Sequence, residues 1–169
     1  MAVVDVRTAH PNEADLLLTI QREASLAGFA HIFPPELAPY PDDEIRMQWR
    51  RALDDPEVEV WVGELDGEPV GSVSIAGDFF RTLYVLPRLW RSGVGSTLHD
   101  LGLERLRARG VTRASLWVLE HNDLARRFYE RRGWTPNGET RIVPFPPNPL
   151  DLGYSLELGR LSEPDVSAA

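Results

Sequence analysis

Two short stretches carry residue types whose spacing can do chemistry. The first, "RSGVGS", runs from Arg91 to Ser96 and follows an apolar run, Leu83 to Leu86, that stops at Pro87. Two glycines one residue apart, between a strand and a helix, leave successive backbone N–H groups uncovered by Cβ atoms. With the positive end of a helix dipole behind them, such groups can hold a diphosphate. The same turn can also serve close helix–strand packing alone. The second stretch, "EHNDLARRFYERRGW", sets Asn122, Ala125 and Tyr129 at spacings of three and four residues, which puts them on one helix face. A small residue between two polar-tipped ones lets a ligand lie close along that face. The competing structural roles are a helix cap for Asn122 and an amphipathic core position for Tyr129.

The glycines do not make a nucleotide loop. A dinucleotide fingerprint requires a third glycine after the first strand, but the residue three past Gly95 is Leu98 and the loop follows the fourth strand. A P-loop requires Gly-Lys-Ser/Thr; the chain reads Gly95-Ser96-Thr97 and contains no lysine. Other chemistries are excluded by composition. There is no cysteine to act as a nucleophile or zinc ligand, and no G-x-S-x-G elbow. The four histidines (10, 31, 99, 121) lack metal-ligand spacing, so no metal is expected.

A net charge of −8 and a pI near 5.0 argue against a nucleic-acid partner. That charge is unevenly spread. Between Arg81 and Trp134 stand eleven arginines and five acids, so the remainder is strongly acidic. One reading is an ordinary solvated arginine-rich surface; the other is a basic half suited to a polyanion and an acidic half suited to a cation. No apolar run approaches the roughly 18 residues of a membrane span. No basic n-region precedes an apolar h-region, so a cytoplasmic protein with no membrane partner is expected.

The elements that position these stretches can be read from periodicity and breakers. A first strand covers Val3 to Thr8, and Asn12 or Asp15 caps a helix that Gly28 stops. The proline-broken "FAHIFPPELAPYP" leads to a helix over Asp42–Leu53 with its acids in the first turn. "VEVWVGEL" and "EPVGSVSIA" form a hairpin about Asp66-Gly67, and "DFFRTLYVL" adds another strand. After the glycine loop come the helix "TLHDLGLERLRARG", the strand "RASLWVLE" and a short helix from Asn122 or Asp123 to Arg132. The strand "DLGYSLEL" comes last. The expected fold is α/β, an α+β mixed and mostly antiparallel twisted sheet with helices on both faces, in the order β-α-α-β-β-β-α-β-α-β. Residues 1–160 are expected to form one domain and 161–169 a disordered tail.

Together these stretches resemble the GNAT superfamily of acyl-coenzyme A-dependent N-acetyltransferases. "LYVLPRLWRSGVGSTLHDLGLERLRARG" is similar to that family's strand, pyrophosphate loop and helix. "SLWVLEHNDLARRFYERRGW" is similar to its next strand and Asn…Ala…Tyr helix, and the element order is similar from Val3 to Leu158. The resemblance implies acetyl-coenzyme A as co-substrate, its pantetheine arm lying between the fourth and fifth strands. Leu83 and Val85 match the backbone positions that pair with the arm, with Tyr84 between them. Arg91, Ser92, Gly93, Val94, Gly95 and Ser96 match the pyrophosphate cradle. Asn122 matches the residue that bonds the arm, Ala125 the one that packs beside it, and Tyr129 the general acid for the departing thiolate. The chemistry agrees: a phenol with pKa near 10 is protonated at neutral pH and can donate as a thiol of pKa about 8.5 departs.

The chain departs from the family pattern at three points. Trp90 stands where Gln or Arg is usual, Arg91 where Gly is common, and Phe79 where many relatives carry a basic glutamate. Asp78 is adjacent but falls on the opposite face unless a bulge intervenes. Deprotonation of the amine is therefore expected through ordered water, His31, Glu120 or Asp78. Direct attack is expected, with a backbone N–H near Val85 polarising the thioester, since a ping-pong route has no cysteine to carry the acyl group. The acceptor pocket is expected among Phe29, His31, Phe33, Tyr40, Asp78 and Trp117. The expected acceptor is the primary amine of a small or amino-acid-like molecule. The alternatives are a protein N-terminal or lysine acetyltransferase and a non-catalytic coenzyme sensor. Trp134 and "VPFPPNPL" are expected to offer apolar surface for a homodimer.

Overall fold

The computed structural model describes residues 3–159; the stretch 161–169 expected as a tail lies outside them. The chain runs β1 (Asp5–Thr8), α1 (Ala14–Gly28), α2 (Asp42–Asp54), β2 (Val58–Leu65), β3 (Glu68–Ala76) and β4 (Phe79–Val85). It continues through α3 (Val94–Ala108), β5 (Arg113–Leu119), α4 (Asp123–Glu130), β6 (Thr135–Ile142) and β7 (Leu150–Glu157). The strands form one sheet in the order β1-β2-β3-β4-β5-β7-β6. β4 and β5 pair in parallel and all other neighbours are antiparallel. This is the mixed, mostly antiparallel sheet expected.

Side-chain alternation divides the core between the two faces. On one face Val60 and Val62 of β2 bury against Leu17, Leu18, Ile45 and Trp49 of α1 and α2. On the other, Val73, Ile75, Phe80 and Leu116 bury against Leu98 and Leu106 of α3. Each such fully buried side chain contributes about 1.5–3 kcal/mol. α3 lies very close to the sheet at Gly102, where a Cβ would stand 2.5 Å from Phe80 Cε2. In β4 the register shifts, Ser74 facing Thr82 while Ile75 faces Phe80, so Arg81 is an extra, bulged residue. The bulge keeps Phe80, Leu83 and Val85 on the α3 face and turns Thr82 and Tyr84 to the α1–α2 face.

Three details differ from the expected layout. β6 is a strand the periodicity did not signal: nearly all its residues are exposed, and Pro136 and Gly138 interrupt it where its register against β7 slips. An exposed edge strand needs no apolar alternation. α1 is preceded not by an Asn12 or Asp15 cap but by Glu13, whose carboxylate accepts the His10 N–H at 2.7 Å and pairs with Arg7 at 2.8 Å. Trp134 is not surface for a dimer. It is 1% exposed, its indole donating to His99 Nε2 at 3.0 Å, and Phe145 packs toward the α1–α2 core. No helix among the described residues is long and apolar enough to cross a membrane.

Candidate active site

β4 and β5 share one register point, Phe79 opposite Ser115, next to a Ser115 N–H bond to the Asp78 carbonyl at 3.0 Å. Beyond it the strands fork. Leu86 donates its N–H back to Val70 of β3 at 2.9 Å. Because main-chain groups alternate along a strand, Leu83 and Val85 turn theirs the other way, into the fork. One of these acceptors is taken: the Trp90 indole donates to the Val85 carbonyl at 2.8 Å. The Val85 N–H and both main-chain groups of Leu83 remain toward the gap. A cavity of about 1500 Å3 occupies it. Leu83, Val85 and Val118 line it from the α3 face and Thr82, Tyr84 and Trp117 from the α1–α2 face, so it passes through the sheet.

At its α3 end stands the glycine loop. Gly93 caps α3 with φ 96°, a left-handed conformation that costs a side-chain-bearing residue about 1–2 kcal/mol. Arg91 takes φ 64° without being glycine, which explains the glycine common at this position in the family it resembles. No side chain caps the first turn of α3, so its leading N–H groups are free of side-chain partners. Ser92 does not join them: its N–H bonds the Leu89 carbonyl at 3.2 Å and its hydroxyl the same oxygen at 2.6 Å. Val94 contributes only backbone, its side chain being core at 1% exposure. Arg91, Gly93, Gly95 and Ser96 line the cavity, with Arg127, Arg131 and Arg132 of the α4 region beside them. Arg132 donates to Ser96 Oγ at 2.6 Å and lies 3.6 Å over the Phe128 ring. The α3 end is thus strongly positive, as a polyanionic ligand requires.

α4 brings the three spaced residues to the cavity wall together. Asn122 Oδ1 accepts the Ala125 N–H at 3.2 Å, so Asn122 is a helix cap as well as a lining residue. The Tyr129 ring is 9% exposed, packed edge-on to Phe80, Phe128 and Trp134. No described residue hydrogen-bonds its hydroxyl. Burial pushes this phenol well above its ordinary pKa, the Arg132 charge opposing, so Tyr129 stays protonated at neutral pH.

On the α1–α2 side, Phe29, Phe33, Tyr40 and Trp117 line the cavity, whereas His31 and Asp78 do not. His31 Nε2 sits 2.8 Å from the His121 carbonyl and ties two loops together. Asp78 is exposed in the β3–β4 turn, on the far side of the Arg81 bulge, which cannot swing it inward. Glu120 stands 3.6 Å from His121 and is also off the wall. None of the three expected bases therefore reaches the site. Two carboxylates do line the cavity: Glu44 of α2, which is exposed, and Asp151 of β7, which is 6% exposed and paired with Arg141 of β6 at 2.9 Å. Arg141 in turn lies 4.6 Å over the Trp117 ring. An acid between Leu150 and Leu152 in an apolar strand was the signal available in the sequence. Burial raises the Asp151 carboxyl and the Arg141 charge lowers it, burial being the larger. The Tyr84 phenol is raised by burial, then by Tyr40, Tyr129 and Asp151, so these groups share one electrostatic neighbourhood.

The profile of the acetyltransferase (GNAT) family matches residues 26–134, more than half of the chain. The chain belongs to the GNAT acetyltransferase family. An uncharacterized N-acetyltransferase from Archaeoglobus fulgidus is 37% identical over 81 residues, covering 41% of this chain and 55% of that protein. A mycothiol acetyltransferase from Streptomyces griseus is 32% identical over 146 residues, covering 78% of this chain and 43% of that one. The chain thus spans about half or less of these relatives' length. PaiA N-acetyltransferase from Thermoplasma acidophilum, solved in complex with coenzyme A, shares the fold with a TM-score of 0.67. Its sequence is 16% identical, and the match covers 92% of this chain and 99% of that one. The GNAT match includes the loop, α3 and α4 and ends before β6 and β7, which carry Arg141 and Asp151.

Proposed function

We propose that this GNAT-family chain is an N-acetyltransferase that moves acetyl from acetyl-coenzyme A to the primary amine of a small or amino-acid-like molecule. The observation that carries the reading is the cavity through the β4–β5 fork. It joins an uncapped, arginine-flanked helix N-terminus on one face of the sheet to an aromatic pocket on the other, with Tyr129 in its wall. The N–H groups of Gly93 through Ser96, with Arg91, Arg131 and Arg132, suit a diphosphate and a further phosphate. The outward main-chain groups of Leu83 and Val85 suit the amides of the pantetheine arm, with Asn122 and Ala125 alongside.

In this reading the acceptor nitrogen attacks the thioester carbonyl directly. The Val85 N–H polarises the carbonyl oxygen; as the C–N bond forms and the C–S bond breaks, Tyr129 gives its phenolic proton to the departing sulfur, and the proton shed by the nitrogen passes through water to restore the phenol. The enclosing Phe29, Phe33 and Tyr40, together with kinship to a mycothiol acetyltransferase, favour a low-molecular-mass acceptor over a protein. The test is calorimetric binding of acetyl-coenzyme A beside a thiol-release assay over a panel of amines. Binding with amine-dependent release supports the reading. Binding with no release from any small amine replaces it with a protein acetyltransferase or a coenzyme sensor, and no binding overturns it.

A further inference from the structure

The three strands farthest from α1 bring together side chains that no single stretch of sequence associates. Arg141 of β6 pairs in register with Asp151 of β7, and Asp151 with Leu119 of β5, two residues from Trp117 on the same face of that strand. Both Arg141 nitrogens that reach Asp151, Nε and Nη2, converge on the same oxygen, Oδ2, at 2.9 Å each. No described residue donates to Oδ1. Asp151 is nevertheless the one buried carboxylate among the described residues, and it lines the cavity. A buried carboxylate with one oxygen unpaired is unfavourable unless something else satisfies it. Oδ1 is not sealed away from the cavity either: among the described residues, the side-chain atoms fully buried without a partner are Tyr40 Oη and Ser72 Oγ.

The charge on the rest of the wall is segregated. The arginines of the glycine loop and α4 belong to the α3 side, while Asp151 faces the α1–α2 side with the rings of Phe33, Phe79 and Phe145. The other charged lining residues from this half, Glu44 and Arg81, are exposed and of opposite sign. Aromatic faces with one half-paired carboxylate are favourable surroundings for an ammonium group.

We infer that Asp151 is the specificity-determining residue of the acceptor site: its Oδ1 receives an N–H of a positively charged amine, and Arg141 positions it from the Oδ2 side. This rests on the acetyltransferase reading for the role of the amine, but the binding event can be tested without turnover. Small primary amines and their alcohol isosteres are titrated into the protein saturated with coenzyme A. The wild type prefers each amine to its alcohol. Asp151→Asn weakens amine binding roughly 10- to 100-fold, the range of a charged hydrogen bond, and leaves alcohol and coenzyme A binding unchanged. Arg141→Met keeps the preference for amines, but with the guanidinium gone its loss on acidification moves to higher pH. Unchanged amine binding in Asp151→Asn, or a wild type indifferent to the charge, overturns the inference. If the wild type fails to bind coenzyme A, the acetyltransferase reading falls instead. The same amine titration on the free protein then still decides the role of Asp151.

Discussion

Tyr129→Phe separates the chemistry of the site from its architecture. The substitution removes one oxygen and keeps the ring whose neighbours are Phe80 at 6.3 Å, Phe128 at 5.4 Å and Trp134 at 6.0 Å between centroids. Because no described residue hydrogen-bonds the hydroxyl, no buried partner is stranded by its loss, and melting temperature and coenzyme affinity stay at wild-type values. On the proposed mechanism the chemical step loses its proton donor. General acid catalysis contributes about 10²- to 10⁴-fold, so kcat falls by that factor, or about 3–5 kcal/mol of transition-state stabilisation. The defect depends on the leaving group: an acetyl thioester of a more acidic thiol, which departs without protonation, recovers much of the lost rate. Stopped-flow thiol release with both donors measures this directly. A variant that retains kcat within about threefold, or an equal defect with both thioesters, refutes the assignment of Tyr129 as the acid.

Three further outcomes follow from the geometry. Arg132→Ala removes the link to Ser96 and the cation over Phe128, so the KM for acetyl-coenzyme A rises about tenfold and loses part of its salt dependence while kcat holds; titrations at two ionic strengths show it. Gly102→Ala drives a methyl against Phe80 and Val73, costing about 1–3 kcal/mol in denaturant melts. His99 accepts the Trp134 indole N–H at Nε2, and its Nδ1 lies 3.1 Å from Asp100. Burial, with Arg132 and Arg107, depresses its pKa against the pull of Asp100. The unfolded chain therefore takes up a proton before the folded one does, and stability falls as pH drops below the ordinary imidazole value of 6.5. Melting temperatures of His99→Gln across that range decline less steeply than those of the wild type.

Much of this molecule is local and therefore legible. The left-handed Gly93, the α3 start behind it and the Asn122–Ala125–Tyr129 face are properties of contiguous residues, determined by backbone sterics and helical spacing. The hairpin about Asp66-Gly67 and most element boundaries are of the same kind. The apolar run of β4 likewise announced a strand, and Phe80, Leu83 and Val85 do face the core on the α3 side. β6 escaped because an exposed edge strand carries no apolar alternation and is held by pairing with a strand that comes later in the chain.

What only tertiary structure decided lies across the strands. The fork between β4 and β5 depends on where two distant strands stop pairing, and periodicity assigns a face without assigning a neighbour. His31, well placed in sequence for an acceptor wall, is drawn to the His121 carbonyl by a loop contact spanning 90 residues. Asp78 is held outside by the β3–β4 turn, beyond the Arg81 bulge, whose position depends on the β3 register. Asp151 acquires its character from Arg141 on a neighbouring strand, which itself lies over Trp117 of β5. A carboxylate's charge, solvation and free oxygen depend on what packs around it in space, and the chain's local pattern does not encode that.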